Sequence, residues 1–248
     1  MKRHLTLCLA TLLALPAAAA DLTVSAAASL TNAFKEIGAM FEAANPGTKV
    51  ALNFGASGAL LQQIAKGGAP VDVFASADQE TMDQAQSQGL VQAAQRRNFV
   101  SNTLVIIVPT AAANLPKAVN DLTEPAYQRI AIGQPASVPV GRYTKGVLEA
   151  AGLWGAIEPK MVGANNVRQA LDYVARAEVD AGFVYATDAA LMADKVKVAV
   201  TVPTQTPILY PVAPLAASAN AVMAAKFVGY LLSAPAQAVL AKYGFGKP

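Results

Sequence analysis

Leu22-Thr23-Val24-Ser25, followed by Leu30-Thr31-Asn32-Ala33-Phe34-Lys35-Glu36-Ile37-Gly38-Ala39-Met40-Phe41 and on to Ala44, decides the fold class. The first piece is a short β-forming apolar run. In the second, Leu30, Ala33, Phe34, Ile37, Met40 and Phe41 recur at helical spacing until Asn45-Pro46-Gly47 ends the helix. The same couplet returns at Lys49 to Phe54 with Gly58 to Lys66, and at Val71 to Ala75 with Gln79 to Gln88. A strand followed by a helix, repeated, predicts a parallel sheet with helices on both faces. A second series begins at Leu104-Val105-Ile106-Ile107-Val108-Pro109. It continues through Arg129 to Gly133, a helix from about Arg142 to Ala151, a helix from Val167 to Ala177 and a strand from Ala181 to Tyr185. Two such series predict two α/β lobes. After Val196 to Val202, the stretch Pro203-Thr204-Gln205-Thr206-Pro207 reads as a linker to a strand at Ile208 to Val212. Helices at Ala221 to Leu232 and Ala234 to Tyr243 then return to the first lobe.

At the amino terminus Lys2-Arg3-His4 is a basic start, Leu5 to Pro16 an apolar run too short to span a bilayer, and Ala18-Ala19-Ala20 a cleavage signal before Asp21. Residues 1–20 therefore read as a signal peptide and the mature chain as secreted. Cys8 follows Leu7 inside the apolar run, a poor context for lipidation. Residues 21–248 carry 17 basic and 16 acidic side chains, a net charge of +1, so no basic field recruits nucleic acid or an anionic membrane. The single histidine and single cysteine, His4 and Cys8, leave with the signal peptide. Disulfides, thiolate nucleophiles, imidazole bases and ordinary zinc or copper sites leave with them. Gly55-Ala56-Ser57-Gly58-Ala59 looks like a nucleophile elbow, but its second glycine is displaced and no histidine base remains. Neither a P-loop nor a dinucleotide-binding motif is present. The enzyme reading that survives is a secreted hydrolase using Ser29 or Ser57 with Lys66 or Lys145 as base.

Three stretches deliver a hydroxyl or backbone N–H groups to a helix start: Ala28-Ser29-Leu30-Thr31-Asn32, Phe54-Gly55-Ala56-Ser57-Gly58 and Asn165-Asn166-Val167-Arg168. Helix starts carry unsatisfied amides and partial positive charge, so several converging would bind an anion. Ser29 and Ser57 each follow a strand, at the sheet end where open α/β folds hold ligands. Gly55 and Gly58 would let a ligand approach the backbone. Pro139 precedes exposed amides at 140 to 142, with Arg142 and Arg168 as nearby cations that read as solvated first-turn residues. Tyr185 ends a strand and could reach a cleft or simply pack. Asp72 and Asp78 bracket the strand at Val71 to Ala75, and Asp78 stands where the helix from Gln79 needs a cap.

Taken together, Ala26 to Ala33, Phe54 to Leu60, Gly68 to Gln79, Gly133 to Gly141, Asn166 to Leu171, Gly182 to Ala189 and the ending Lys242-Tyr243-Gly244-Phe245 resemble the periplasmic molybdate-binding proteins of ABC transporters. The resemblance spans the mature chain. It implies a two-lobed periplasmic binding protein fold of type II, each lobe a mostly parallel sheet flanked by helices, with the ligand in the interlobe cleft. Two chain crossings would divide the protein into lobe 1 (residues 21–102 and 203–248) and lobe 2 (103–202). It also implies that molybdate or tungstate, molybdenum as its oxyanion, is held by Ser29 and Ser57 through hydroxyl and N–H, by Val140 and Val167 through N–H, and by Tyr185 through its hydroxyl. Alanine is common at the position of Val140, and many relatives carry small polar residues at Gly55 and Gly58. The same resemblance implies a periplasmic monomer, not an enzyme, without cofactor, that serves an inner-membrane ABC permease and its ATPase. A binder of sulfate, iron or an amine, and a sensory module that reports an oxyanion, stay open as alternatives. A site of donors alone disfavours phosphate, which keeps a proton near neutral pH and wants an acceptor, whereas molybdate, tungstate and sulfate want only donors.

Overall fold

The computed structural model describes residues 20–248; the expected signal peptide lies outside the described residues except for Ala20, which opens the first strand. The chain begins β1 (Ala20–Ala27), α1 (Thr31–Ala44), β2 (Thr48–Gly55), α2 (Ser57–Gly67), β3 (Val73–Ala75), α3 (Gln79–Ser87) and β4 (Arg97–Asn102). It continues β5 (Leu104–Pro109), β6 (Ile130–Gly133), α4 (Pro139–Ala150), α5 (Trp154–Ile157), β7 (Met161–Ala164), α6 (Val167–Ala175), β8 (Ala181–Tyr185), α7 (Ala186–Leu191) and β9 (Val196–Val202). It closes with β10 (Ile208–Pro214), α8 (Ala221–Leu231) and α9 (Ala234–Lys242). Helix α4 starts three residues before the sequence places it, because Pro139 at the first helical position has its φ preset and no N–H to lose. The strands missing from the sequence reading, β4 and β7, are both sheet edges. An edge strand buries less of itself and so needs no continuous apolar run; Arg97 and Asn98 are exposed accordingly.

One sheet runs β2-β1-β3-β10-β4 and the other β7-β6-β8-β5-β9. β1 is parallel to β2 and β3, and β10 is antiparallel to β3 and β4. In the second sheet β6 is parallel to β7 and β8, and β5 is antiparallel to β8 and β9. Each sheet thus has a single reversed strand, and it is the one arriving from the other sheet: β5 follows β4 directly, and β10 follows β9. The carboxyl ends of the parallel strands face the other lobe, so a strand that enters from that side must run against them. The repeated couplet could not reveal this reversal, since neither β5 nor β10 follows a helix.

On one face of the first sheet α1 buries Ala33, Phe34, Ile37 and Phe41. Phe34 packs 5.9 Å from Phe99 of β4, and Phe41 lies 5.1 Å edge-on to Phe227 of α8. The opposite face carries α2 and α3, where Leu60, Leu61 and Met82 cover Phe74 and Ala213. In the second lobe Ile106, Ile130, Ile132 and Phe183 are fully buried beneath α4 and α6, with Leu148, Leu171 and Val174. Among the described residues no single helix is long and apolar enough to cross a membrane. The consequence for function is positional: the carboxyl ends of β1, β2, β6, β7 and β8 converge, and the helices that follow them begin there.

Candidate functional site

Between the lobes lies a cavity of about 10 Å³, lined by Ala28, Ser29, Ala56, Ser57, Ala77, Pro139, Val140, Asn166, Val167 and Tyr185 among others. That is about the room one water molecule needs, so the cleft in this form is far too narrow for a sugar or peptide. The five residues singled out in the sequence, Ser29, Ser57, Val140, Val167 and Tyr185, all reach it. They come from both lobes, and all are buried, none more than 4% exposed.

The free amides can be found by eliminating those already used. At the start of α4, Gly141 and Arg142 both donate their N–H to the Val138 carbonyl, at 3.0 and 3.2 Å. Of the amides at 140 to 142, that leaves Val140's without a protein acceptor among the described residues. At α6 the Asn166 side chain accepts from the N–H groups of Arg168 and Gln169, at 2.9 and 3.1 Å, which leaves Val167's. At α2 the Gly58 N–H donates to Ser137 O across the cleft at 3.0 Å. The reason for a glycine at 58 is therefore not access for a ligand: a Cβ there would stand 2.7 Å from that Ser137 oxygen. Glycine lets the lobes touch.

Two of the three hydroxyls, those of Ser57 and Tyr185, keep a proton free to donate. Ser57 Oγ accepts the Ala77 N–H at 3.0 Å, which leaves its proton for the cavity. Ser29 Oγ lies 3.0 Å from Tyr210 Oη. Tyr185 Oη is buried without any hydrogen-bond partner, an arrangement that costs free energy until something fills it. Burial pushes its pKa far above the ordinary tyrosine value, so the group stays a neutral donor. Neither Lys66 nor Lys145 lines the cavity; Lys145 instead faces Glu149 and the Trp154 ring. Neither lysine therefore lies in the cavity that Ser29 and Ser57 line. Among the described residues no cluster of three His, Cys, Asp or Glu side chains could hold a metal cation.

Arg142 and Arg168, expected to be solvated, are instead ties between the lobes. Arg142 donates through Nε to Asp78 Oδ2 at 2.8 Å and through Nη2 to Thr81 Oγ1 at 2.7 Å. Asp78 caps α3 as expected, accepting from Thr81 N–H at 3.2 Å, and its second oxygen serves this bridge. Arg168 pairs through Nε with Asp188 in its own lobe and reaches across to Asn32 Oδ1 at 2.9 Å and Ser29 O at 3.1 Å. Each arginine is neutralised by an aspartate outside the cavity, so the cavity wall itself carries no full charge. Asp188 is completely buried; desolvation pushes its carboxyl up to about 6 although Arg168 pulls the other way. Asp72 takes no part. It accepts from Thr23 N–H at 2.8 Å and Ser218 Oγ at 2.6 Å beside a separate hollow of about 610 Å³ at the opposite end of the first sheet.

The family model for bacterial extracellular solute-binding proteins matches residues 22–246. The molybdate-binding protein ModA of Escherichia coli (strain K12) is 37% identical over 230 residues, spanning 90% of this chain and 88% of that one. Among solved structures, the periplasmic molybdate-binding protein of Azotobacter vinelandii superimposes with a TM-score of 0.78 at 24% identity, covering 92% of this chain and 99% of that one. The sulfate-binding protein SubI from Mycobacterium tuberculosis H37Rv does so with a TM-score of 0.80 at 18% identity, covering 91% and 86%. The fold is common to a molybdate binder and a sulfate binder, so it does not select the ion.

Proposed function

The chain belongs to the bacterial extracellular solute-binding proteins, and from that premise we propose that it captures molybdate, with tungstate as an equivalent ligand, and presents it to a membrane ABC importer. The observation that carries the reading is the cavity between the lobes, where neutral donors converge and no carboxylate enters. The ion sits among the hydroxyls and N–H groups of Ser29 and Ser57, the N–H groups of Val140 and Val167, and the Tyr185 hydroxyl. A dianion stripped of water needs every oxygen supplied with donors, and each charge-assisted hydrogen bond contributes about 1.5–3 kcal/mol. Helix starts supply the compensating potential without a counter-ion. Lobe 1 comprises residues 21–102 and 203–248 and lobe 2 residues 103–202, so the ion is what both lobes grip. The closed shape is then what the importer reads. The mature chain begins at about Asp21 and works as a periplasmic monomer. The choice of molybdate over sulfate is supported by the 37% identity to the E. coli protein, because the donor chemistry suits both ions.

Titrating residues 21–248 calorimetrically and by thermal shift with molybdate, tungstate, sulfate and phosphate tests this. Molybdate and tungstate should each add about 2.7 kcal/mol of stability at a hundredfold excess over Kd, and phosphate nothing. Stabilisation by sulfate alone would move the ligand; stabilisation by none would end the oxyanion reading. Ser29→Ala and Ser57→Ala should each weaken molybdate binding by about 1–3 kcal/mol. Tyr185→Phe should act with opposite signs on two readouts. It removes one donor and so weakens binding about tenfold, yet it relieves a buried unpaired hydroxyl and raises the ligand-free melting temperature. Unchanged affinity would mean the hydroxyl is not aimed at the ion, and a lowered melting temperature would mean it already has a partner in the ligand-free protein.

A further inference from the structure

We propose that Tyr210, oriented by Asn102, is a positioning residue that fixes the Ser29 hydroxyl as a donor to the bound ion; the inference rests on the oxyanion reading. The argument follows the protons. Asn102 Oδ1 accepts the Thr103 N–H at 2.9 Å, and a backbone amide can only donate, so the amide orientation of Asn102 is settled. Its Nδ2 group therefore donates, to Thr187 Oγ1 at 2.9 Å and to Tyr210 Oη at 3.2 Å. Tyr210 Oη, accepting from Asn102, keeps one proton of its own. The acceptor within reach of that proton is Ser29 Oγ at 3.0 Å. The tyrosine is fully buried and burial holds its hydroxyl protonated, so the proton is always available to give. With a lone pair of Ser29 Oγ engaged, its own O–H is left to point into the cavity.

Ser57 reaches the same state by a different route, since its Oγ accepts from the backbone N–H of Ala77 at 3.0 Å. The two serines are thus primed alike, one by backbone and one by a side-chain relay that mutation can cut. The relay also spans the crossing between the lobes: Asn102 ends β4, Tyr210 lies on β10 and Thr187 belongs to α7. Ser29 is set as a donor by contacts that include the second lobe.

Tyr210→Phe removes only the hydroxyl and keeps the ring, which packs 5.8 Å from Tyr185 and 5.6 Å from Phe245. Molybdate affinity measured by calorimetry in three backgrounds tests the relay. Tyr210→Phe should weaken binding about tenfold in the otherwise unaltered chain and again about tenfold beside Ser57→Ala, but less than about twofold beside Ser29→Ala. Asn102→Ala should repeat that pattern at smaller size. A merely structural tyrosine would cost the same in all three backgrounds, and that result, or no loss in the unaltered chain, overturns the relay while leaving the ligand assignment intact. An unaltered chain that binds neither molybdate nor tungstate removes the ligand assignment, and the relay with it.

Discussion

Gly58→Leu should weaken molybdate binding by more than about a hundredfold while leaving the ligand-free protein as stable as before, or slightly more so. The position is the second residue of α2, and its φ is not in the left-handed region, so the backbone there does not require glycine. Leucine is the better helix former by something under about 1 kcal/mol, which is a gain for lobe 1 taken alone. The cost falls elsewhere. A Cβ at 58 would meet Ser137 O at 2.7 Å, Ser137 Cα at 3.0 Å and Ser137 C at 3.2 Å, all backbone atoms of the other lobe. Backbone cannot swing aside as a side chain does, so the strain is relieved by parting the lobes. Once parted, the donors of one lobe no longer reach an ion held by the other, and losing even two charge-assisted hydrogen bonds exceeds the roughly 2.7 kcal/mol of a hundredfold change. Calorimetric titration with molybdate and ligand-free thermal unfolding separate these effects. Gly58→Ala should show a smaller loss in the same direction. Normal affinity in the leucine variant would mean that the contact between Gly58 and Ser137 is not part of the bound state.

What the sequence discloses about this molecule is what is local in it. The serine after β1, the serine opening α2, Pro139 at the start of α4 and Asn166 before α6 can each be placed from a few neighbouring residues, because a helix start is a short-range event. That Ser29 and Val140 face one cavity is a different kind of fact. The patterning shows two series of strands and helices; it does not show that the carboxyl ends of the two sheets oppose each other, and the resemblance to known binding proteins supplied that expectation. The arginines make the limit plain. Arg142 and Arg168 each stand in the first turns of a helix, where a cation is ordinarily solvated. Their partners Asp78 and Asn32 are 64 and 136 residues away. Nothing near either arginine in the chain marks it as bridging. Tyr210 and Asn102 escape notice for the same reason, since a tyrosine in a strand and an asparagine at a strand end carry no pattern until the fold joins them. Gly58 is the instructive case in between, visible as an unusual glycine but with its cause in the other lobe.

Arg168→Ala should destabilise the ligand-free protein by about 3–5 kcal/mol near pH 7.5, and by much less near pH 5. Arg168 is the cation paired with Asp188, a carboxylate with no exposed surface whose Oδ2 already lacks a partner. Desolvation raises the Asp188 pKa from 3.8 to about 6, against the charge and hydrogen bond of Arg168 that lower it. A carboxyl raised on folding binds its proton more tightly in the folded state. Its contribution to stability is therefore greatest below about pH 4, falls as pH rises toward 6 and is level above that, a difference of roughly 2–3 kcal/mol. Asp188→Asn should remove this slope. Deleting Arg168 takes away the two larger of the three effects that lower the pKa and leaves only the backbone hydrogen bond at Tyr185, so Asp188 climbs further and the penalty grows with pH as a stranded charge is forced on the interior. In acid the carboxyl is protonated, no charge is stranded, and what remains is the loss of the bonds to Asn32 and Ser29 O. The double variant Arg168→Ala with Asp188→Asn should accordingly recover most of the stability lost at pH 7.5. It should not recover affinity for molybdate, because the guanidinium that tied α6 to the Ser29 turn is still missing. Urea unfolding at the two pH values gives the first result and calorimetry the second. Equal destabilisation at both would show that Asp188 does not carry the charge this pairing implies.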